Sequence, residues 1–291
     1  MSLLAQWLGI SRAGLYKSAR RFQIHQDLSR VVLDFVDAER AINKKIGGIK
    51  LHQLFGQTYP ELAIGRDRFF MMLSEHGRLL RRKSRKRAKR SPAELRARDL
   101  AHQLTVTGPA QLWVHDDTEV VTKDGKAHLA LSTDAYSSMV MGYSWSRRAD
   151  AGHVKAALEM ALKGYSPRNN QLIHHSDNGR IYTSKAYQLL LESIQVSYSP
   201  PGRPDRNPIA ERINQTFKQE YLCDSKQKSF EQIAEELPRY IQHYNHRRPH
   251  MSCDYGPPAL VQSGQLQPVK HWRQRPKTYE IAAGAKNNIE A

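Results

Sequence analysis

The stretch QLWVHDDTEVV, residues 111 to 121, alternates as a β-strand does and carries two adjacent aspartates. Successive side chains of a strand point to opposite faces, so Asp116 shares a face with Leu112 and Val114 while Asp117 belongs to the other face. That first face is otherwise apolar, and an unpaired carboxylate there is costly. We therefore expect Asp116 to have a metal ion or a cationic partner.

The pattern around this strand predicts a mixed sheet covered by helices. A turn at Asp124-Gly125 leads into a second strand, and a third strand follows. Helical and strand patterns then alternate, which gives the order βββ-α-β-α-β-α. The last of these helices begins near Asn207, a capping residue, and Pro208 suits its first turn.

Two further acids fall at defined places on that scaffold. Asp177 follows a short buried strand in IHHSDNGRIYTS, residues 173 to 184. Locally, Asn-Gly favours a turn, and a metal ligand is the second interpretation of the same letters. Glu211 lies in the first turns of the later helix. Three acids from two strands and one helix can hold two Mg²⁺ ions roughly 3.5–4 Å apart, an arrangement that serves in-line displacement at phosphorus.

Composition points to a polyanionic partner. The chain has 45 Lys and Arg against 28 Asp and Glu, a net charge of +17, which indicates nucleic acid. No apolar run reaches membrane-spanning length, and the N-terminus lacks the pattern of a signal peptide. Cys223 and Cys253 belong to no Cys/His cluster, so a disulfide scaffold or a zinc module is not expected and a reducing compartment fits.

The N-terminal part of the chain is predicted to be helical. Residues 3 to 21 fit either a partial helix-turn-helix, with Ser11 capping the second helix, or two helices of a bundle. Helical spacing continues from 28 to 77. Residues 78 to 90 hold nine Lys or Arg, which suits a solvated linker, a segment lying along phosphates, or both. The residues of this run expected to contact DNA are Arg81, Arg82, Lys83, Arg85, Lys86 and Arg87.

Three motifs resemble those of a known family. LWVHDDTEV, HHSDNGRIYTS and NPIAERINQTFKQE resemble, in order, the acidic motifs of integrase-core DDE transposases, and GGIKLHQLF and HYNHRRPH resemble segments that flank the core. The whole is similar to the OrfB-type transposases of the IS-three family of bacterial insertion sequences, in the retroviral-integrase superfamily. The resemblance implies a ribonuclease-H-like mixed five-stranded sheet with flanking helices, preceded by an all-α DNA-binding region of helix-turn-helix type.

The resemblance also implies the residues of the site. Carried over, the catalytic and metal-binding set is Asp116, Asp177 and Glu211, and Asp117 remains the alternative to Asp116. Lys218 follows Glu211 by seven residues, two helical turns, as in the family, and is expected to contact the DNA end. His115, His174 and His175 are expected to form hydrogen bonds rather than a zinc site, because neighbouring strand residues face opposite ways. Asp134 is expected to be structural.

The activity implied is that of a DDE polynucleotidyl transferase. Two Mg²⁺ ions, with Mn²⁺ as a substitute, would support cleavage at transposon ends and strand transfer into target DNA. Two alternatives remain: a metal-dependent nuclease without joining activity, and a non-catalytic DNA-binding regulator derived from a transposase. The resemblance further implies double-stranded DNA as partner, a homo-oligomer on DNA, an upstream-frame fusion partner, and a place in the bacterial cytoplasm at the nucleoid.

The domain organisation predicted from these patterns has five parts. They are a partial helix-turn-helix (1–25), a helical DNA-binding region (26–77), a basic linker (78–108), a ribonuclease-H-like core with a C-terminal helix (109–261) and a basic tail (262–291).

Overall fold

A computed structural model describes the chain over residues 11–80, 99–101, 104–164, 172–177, 179, 181–182, 184–192, 194–200 and 207–269. Several of the predictions fall elsewhere. The first helix of the N-terminal pair and the end of the basic tail lie outside the described residues. So do the basic side chains of the linker, Arg81, Arg82, Lys83, Arg85, Lys86 and Arg87.

The sheet has five strands in the order β3-β2-β1-β4-β5. The strands are β1 (Leu112–Thr122), β2 (Gly125–Asp134), β3 (Val140–Ser146), β4 (Ile173–Ser176) and β5 (Gln195–Tyr198). The first three pair antiparallel, and β1–β4 and β4–β5 pair parallel. Gly125 takes a φ of +117° at the β1–β2 turn, a conformation open to glycine. The predicted mixed sheet is confirmed.

Helices cover both faces of this sheet. They are α4 (Ala151–Lys163), α5 (Lys185–Gln188), α6 (Pro208–Thr216), α7 (Phe230–His246) and α8 (Pro258–Gln262), and α6 continues into a π-helical turn, Phe217–Tyr221. On one face Leu129 and Leu131 pack with residues of α6, the π turn and α7. On the other face Trp113 and Ala130 pack with α4. Within the described ranges no helix combines the length and apolar character needed to cross a bilayer.

Gly142 permits the close approach of α4 to β3. A Cβ at this position would lie 2.1 Å from the carbonyl oxygen of Ala157 and 2.6 Å from the backbone nitrogen of Ala161. Both of these atoms belong to the helix backbone and cannot move aside as a side chain would. Any larger residue here would push α4 off the sheet.

Within the described part of the chain, three α-helices precede the sheet: α1 (Arg12–Ile42), α2 (Gly48–Thr58) and α3 (Arg66–Glu75). We call residues 12–77 the helical segment and the five strands with α4–α8 the sheet domain. The helical segment has its own core, which includes Val36, Leu51, Phe55 and Phe69. The side chain of Ser11 accepts a hydrogen bond from the Gly14 nitrogen at 3.0 Å, so the predicted cap of this helix is confirmed.

α1 runs without a break through residues 25 and 26, where the sequence placed a domain boundary. Between residues 15 and 42 the chain has no glycine or proline, so nothing in this stretch ends the helix. The N-terminal half of α1 is mostly exposed, and the half after residue 28 packs on α2 and α3.

Candidate active site

Asp116 lies on the face of β1 that α6 covers. Its Oδ2 accepts a hydrogen bond of 2.8 Å from Nδ2 of Asn214. Burial raises the pKa of Asp116 to about 7, and the negative charge of Asp177 acts in the same direction. The surroundings of Asp116 thus disfavour its charged form, which is expected of a carboxylate that serves as a ligand for a cation.

Asp177 follows the strand that lies beside β1. The parallel register of β1 and β4 ends with the pair Val114 and His175, and Asp116 and Asp177 each follow two residues later. The charge of Asp177 acts on the pKa of Asp116, so the two carboxylates lie near each other. Neighbouring strands lie about 4.8 Å apart, close enough for two carboxylates to share one cation. The sheet therefore brings together two acids that are 61 positions apart in the sequence.

Asp177 also makes a hydrogen bond within the loop that follows β4. The Gly179 nitrogen donates a hydrogen bond of 3.0 Å to Oδ1 of Asp177. A Cβ on residue 179 would lie 2.8 Å from the same oxygen, so glycine allows this approach. One carboxylate oxygen of Asp177 thus shapes the loop, and the two interpretations of the sequence do not exclude each other.

Glu211 is carried on the first turn of α6. The start of this helix is held on β1 by Asn207, whose Nδ2 donates a hydrogen bond of 3.2 Å to the carbonyl oxygen of His115. Glu211 and Asn214 are three residues apart on the same helix and so are neighbours on its surface. Because Asn214 bonds to Asp116, Glu211 lies near Asp116, and we call this part of the sheet the corner. The Glu211 residue is exposed there.

The three acids share this corner without closing into a coordination shell. Among the residues that the structure describes, no three His, Cys, Asp or Glu side chains converge closely enough to hold an ion as they stand. We call Asp116, Asp177 and Glu211 the acid cluster.

Asp117 has a different environment on the opposite face of β1. Its Oδ2 lies 2.9 Å from Nδ1 of His128, and its Oδ1 lies 3.1 Å from Nε2 of His153. Burial alone would raise the pKa of Asp117, but the hydrogen bonds from His153 and His128 outweigh it and lower the pKa. Neither partner was predicted, since His128 lies on β2 and His153 on α4.

Comparisons with known proteins show the family of this chain. Two family models described as Integrase core domain match residues 106–204 and 192–258. The transposase for insertion sequence element IS904 of Lactococcus lactis is 32% identical over 173 residues, which span 58% of this chain and 68% of the relative. The chain belongs to the integrase-core transposases of insertion sequences.

Other relatives of this transposase extend the match. The uncharacterized 31 kDa protein of insertion element IS600 of Shigella sonnei is 29% identical over 269 residues, covering 85% of this chain and 93% of the relative. The transposase of IS629, also from Shigella sonnei, is 31% identical over 159 residues, covering 54% and 53%. These similarities fit the IS-three family. Among solved structures, the catalytic core domain of BIV integrase is 19% identical with a TM-score of 0.42, covering 54% of this chain and 95% of that one.

The histidines near the acids of this transposase form hydrogen bonds, as predicted. Nε2 of His174 lies 2.8 Å from the Tyr187 hydroxyl, and Nδ1 of His115 lies 3.2 Å from it. The ring of His175 lies between the hydroxyls of Ser197 and Ser199, at 2.8 and 2.9 Å. These rings are fully buried, and burial lowers the pKa of His174 to about 3.

Asp134 is structural, as predicted. Its Oδ2 accepts a hydrogen bond of 2.6 Å from the Ala110 nitrogen, and its Oδ1 accepts bonds of 2.9 and 3.0 Å from the nitrogens of Tyr136 and Ser137. The fully buried carboxylate thus closes the turn after β2.

Lys218 is exposed, but it does not lie on a simple continuation of α6. That helix ends at Thr216, and Lys218 belongs to the π turn. A π turn spaces its hydrogen bonds five residues apart and so shifts the phase of the side chains. Two full α-helical turns therefore do not separate Glu211 from Lys218, and the role of Lys218 stays a prediction.

The donor set at the corner consists of carboxylate oxygens. Such ligands suit hard divalent cations, whereas a site for zinc usually includes sulfur or imidazole nitrogen. The raised pKa of Asp116 fits this chemistry, because a dication would offset both the burial and the repulsion from Asp177. Asp116, Asp177 and Glu211 are the residues that could hold such ions.

Proposed function

We propose that this transposase cleaves DNA at the ends of its insertion sequence and joins them to target DNA, with Asp116, Asp177 and Glu211 holding two Mg²⁺ ions. Mn²⁺ would substitute for Mg²⁺. The observation that carries the proposal is the nearness of Asp177, which follows β4, to Asp116 on the neighbouring strand β1, where the negative charge of Asp177 helps to raise the pKa of Asp116. Two neighbouring carboxylates of this kind can serve as the ligands of a divalent cation.

Divalent ions bound there would supply the Lewis acidity that in-line displacement at phosphorus needs. The part played by the chain is to place the ligands. Asp116 is fixed in the middle of the sheet, and Asn214 holds its Oδ2 and so limits rotation of the carboxylate. Asp177 is fixed by its bond to Gly179, and Glu211 approaches from a helix that Asn207 ties to β1. No side chain has to act as a covalent nucleophile.

DNA contacts are proposed for three regions. Lys218 would hold phosphates near the end being cut, the basic run of the linker would follow the backbone, and the helical segment would bind the end sequence. A homo-oligomer on paired ends, fusion to an upstream frame, and action in the bacterial cytoplasm at the nucleoid are further parts of the proposal.

The experiment that tests this function uses a duplex bearing a terminal repeat and a supercoiled target plasmid. With Mg²⁺ we expect a nick that leaves a 3′-hydroxyl, followed by joined products. Asp177→Asn and Glu211→Gln should abolish both while end binding survives. Nicks without joined products would indicate a nuclease, and end binding without any metal-dependent nick would indicate a regulator; either result would contradict the proposal.

A further inference from the structure

Two motifs that the acid cluster does not use meet the end of the motif that carries Glu211 at one place in the structure. The segment GGIKLHQLF contributes Lys50, the end of NPIAERINQTFKQE contributes Glu220, and HYNHRRPH contributes His243, Arg247 and Arg248. We call this contact between the helical segment and the sheet domain the junction. Its ionisable residues include Glu39, Lys44 and Lys50 from the helical segment, and Glu220, Asp224, His243, Arg247 and Arg248 from the sheet domain.

From the sheet domain, Glu220 reaches into the helical segment. It accepts two hydrogen bonds of 2.7 Å from Arg248, one of 2.8 Å from Nδ2 of Asn43 and one of 3.1 Å from Nζ of Lys50. The Arg248 side chain is 6% exposed and that of Glu220 15% exposed, so little water competes for these bonds.

From the helical segment, Glu39 reaches into the sheet domain in return. Its Oε1 accepts a hydrogen bond of 2.8 Å from Nε of Arg247, and its Oε2 lies 3.3 Å from Nε2 of His243. The other ring nitrogen of His243 lies 2.9 Å from the hydroxyl of Tyr221, the residue next to Glu220. The carboxylates of Glu39 and Glu220 are therefore connected through His243, Tyr221 and the peptide bond between Tyr221 and Glu220.

The junction is continuous with the helix that carries Glu211. The π turn Phe217–Tyr221 follows α6 directly, and we call α6 and this turn together the rod. Glu220 therefore lies on the rod nine positions after Glu211. Phe217 and Tyr221 are fully buried in the core of the sheet domain, which keeps the rod in place. The helical segment is therefore connected to Glu211 through one short, packed element.

We propose that Glu39 is a positioning residue which, together with Glu220, fixes the helical segment to the rod of Glu211, so that DNA held by the helical segment meets the acids in one orientation. This inference rests on the proposed function for its catalytic consequence, but its structural claim stands apart from activity. The motif HYNHRRPH, whose basic residues suggest a DNA contact, is used at the junction to bind carboxylates.

Buried ion pairs are well suited to fixing the orientation of the helical segment. Buried ion pairs add little stability compared with well-packed apolar residues, but they demand one geometry, since a displaced partner leaves an uncompensated charge. Reciprocal carboxylates, one from each side, restrict sliding in both directions. The junction would thus contribute orientation more than binding energy.

The test exchanges the two charges that meet across the junction. Glu39→Lys places a cation against Arg247, and Arg247→Glu places a carboxylate against Glu39. The double variant Glu39→Lys with Arg247→Glu restores an opposite-charge pair. Arg247 is 46% exposed, so Arg247→Glu folds even where Glu39→Lys does not. Asp34→Lys serves as the matched control, because Asp34 is exposed on the same helix.

The first measurement needs no DNA and no metal. Spin labels at Gln57→Cys on α2 and Lys163→Cys on α4, in a Cys223→Ser background, report the distance between helical segment and sheet domain. We expect each single variant to widen the distance distribution by about twofold, and the double variant and the control to keep the wild-type width. Unchanged widths in the single variants, or a double variant as wide as they are, would overturn the inference.

The second measurement is single-turnover cleavage of an end-bearing duplex. The single variants should bind the end normally but cleave it about tenfold to a hundredfold more slowly, and the charge exchange should restore the rate. A wild-type protein that does not cleave would contradict the proposed function and leave the distance result valid. Wild-type rates in single variants whose distances have widened would refute the positioning role.

Discussion

The acid cluster and the junction both contain buried carboxylates, and the pKa values of these carboxylates are shifted in opposite directions. At the cluster, burial and Asp177 raise the pKa of Asp116 to about 7. At the junction, burial would raise the pKa of Glu220, but the bonds and charge of Arg248 hold it at about 2. A carboxylate that is paired with a cationic side chain of the protein is a structural clamp. A carboxylate whose neighbours are other acids is suited to bind a metal cation.

The same contrast occurs within β1, between two successive residues. Asp117 is satisfied by His128 and His153 and has a lowered pKa. Among the residues that the structure describes, the side-chain hydrogen bond to Asp116 comes from the neutral Asn214. The face of the strand decides between these environments. Asp117 therefore fits a structural role, and Asp116 fits a ligand.

The largest effect on stability is expected at the junction. Glu220→Gln keeps the size of the side chain but leaves Arg248 buried without a counter-charge, and such a loss costs about 3–5 kcal/mol. Urea unfolding at pH 7 measures it, with Glu235→Gln on the exposed face of α7 as the control. A loss no larger than that of the control would mean that the paired carboxylate is not a clamp.

At the cluster the corresponding substitution should have the opposite sign. A raised pKa means that the folded state favours the protonated form, so the associated stability is present below pH 4 and is lost as the pH rises through about 7. Asp116→Asn removes this loss and should stabilise the metal-free protein by about 1–3 kcal/mol at pH 8. At pH 4 the gain should disappear. Destabilisation at pH 8 in the presence of a chelator would show that Asp116 has a cation partner within the chain.

Metal binding should compete with protons at the cluster. Because a ligand carboxylate must be ionised, Mn²⁺ affinity should fall by about tenfold per pH unit as the pH drops below about 7, the pKa of Asp116. Calorimetry in two buffers of different ionisation enthalpy gives both the affinity and the protons released. Affinity that stays constant between pH 5 and pH 7 would contradict the raised pKa.

The smallest effect concerns Lys218. We expect Lys218→Ala to weaken cleavage of a blunt end by about tenfold through a lost phosphate contact, while the fold and metal binding persist. Lys226→Ala, which removes another exposed lysine of the same region, is the matched control. Equal cleavage by both variants would make Lys218 an ordinary surface residue, as its place in the π turn allows.

Local patterns predicted the strands of the sheet, the face of each aspartate on β1 and the start of the helix that carries Glu211. Alternation in β1 assigned Asp116 and Asp117 to different faces, and Pro208 marked the start of α6, as the structure shows. Contacts between distant parts of the chain had no such signal. Glu39 and Arg247 are 208 positions apart, and neither the junction nor the histidines of Asp117 could be found from spacing. The π turn was missed because the periodicity of a few residues does not distinguish it from α-helix.

The central claim is that Asp116, and not its neighbour, is a ligand of the catalytic ions. The most direct test is single-turnover nicking of an end-bearing duplex by Asp116→Asn and Asp117→Asn, each first shown to be folded and to bind the end. The account predicts a loss of about a thousandfold or more for Asp116→Asn and a rate within about tenfold of wild type for Asp117→Asn. Activity retained by Asp116→Asn and lost by Asp117→Asn would contradict it.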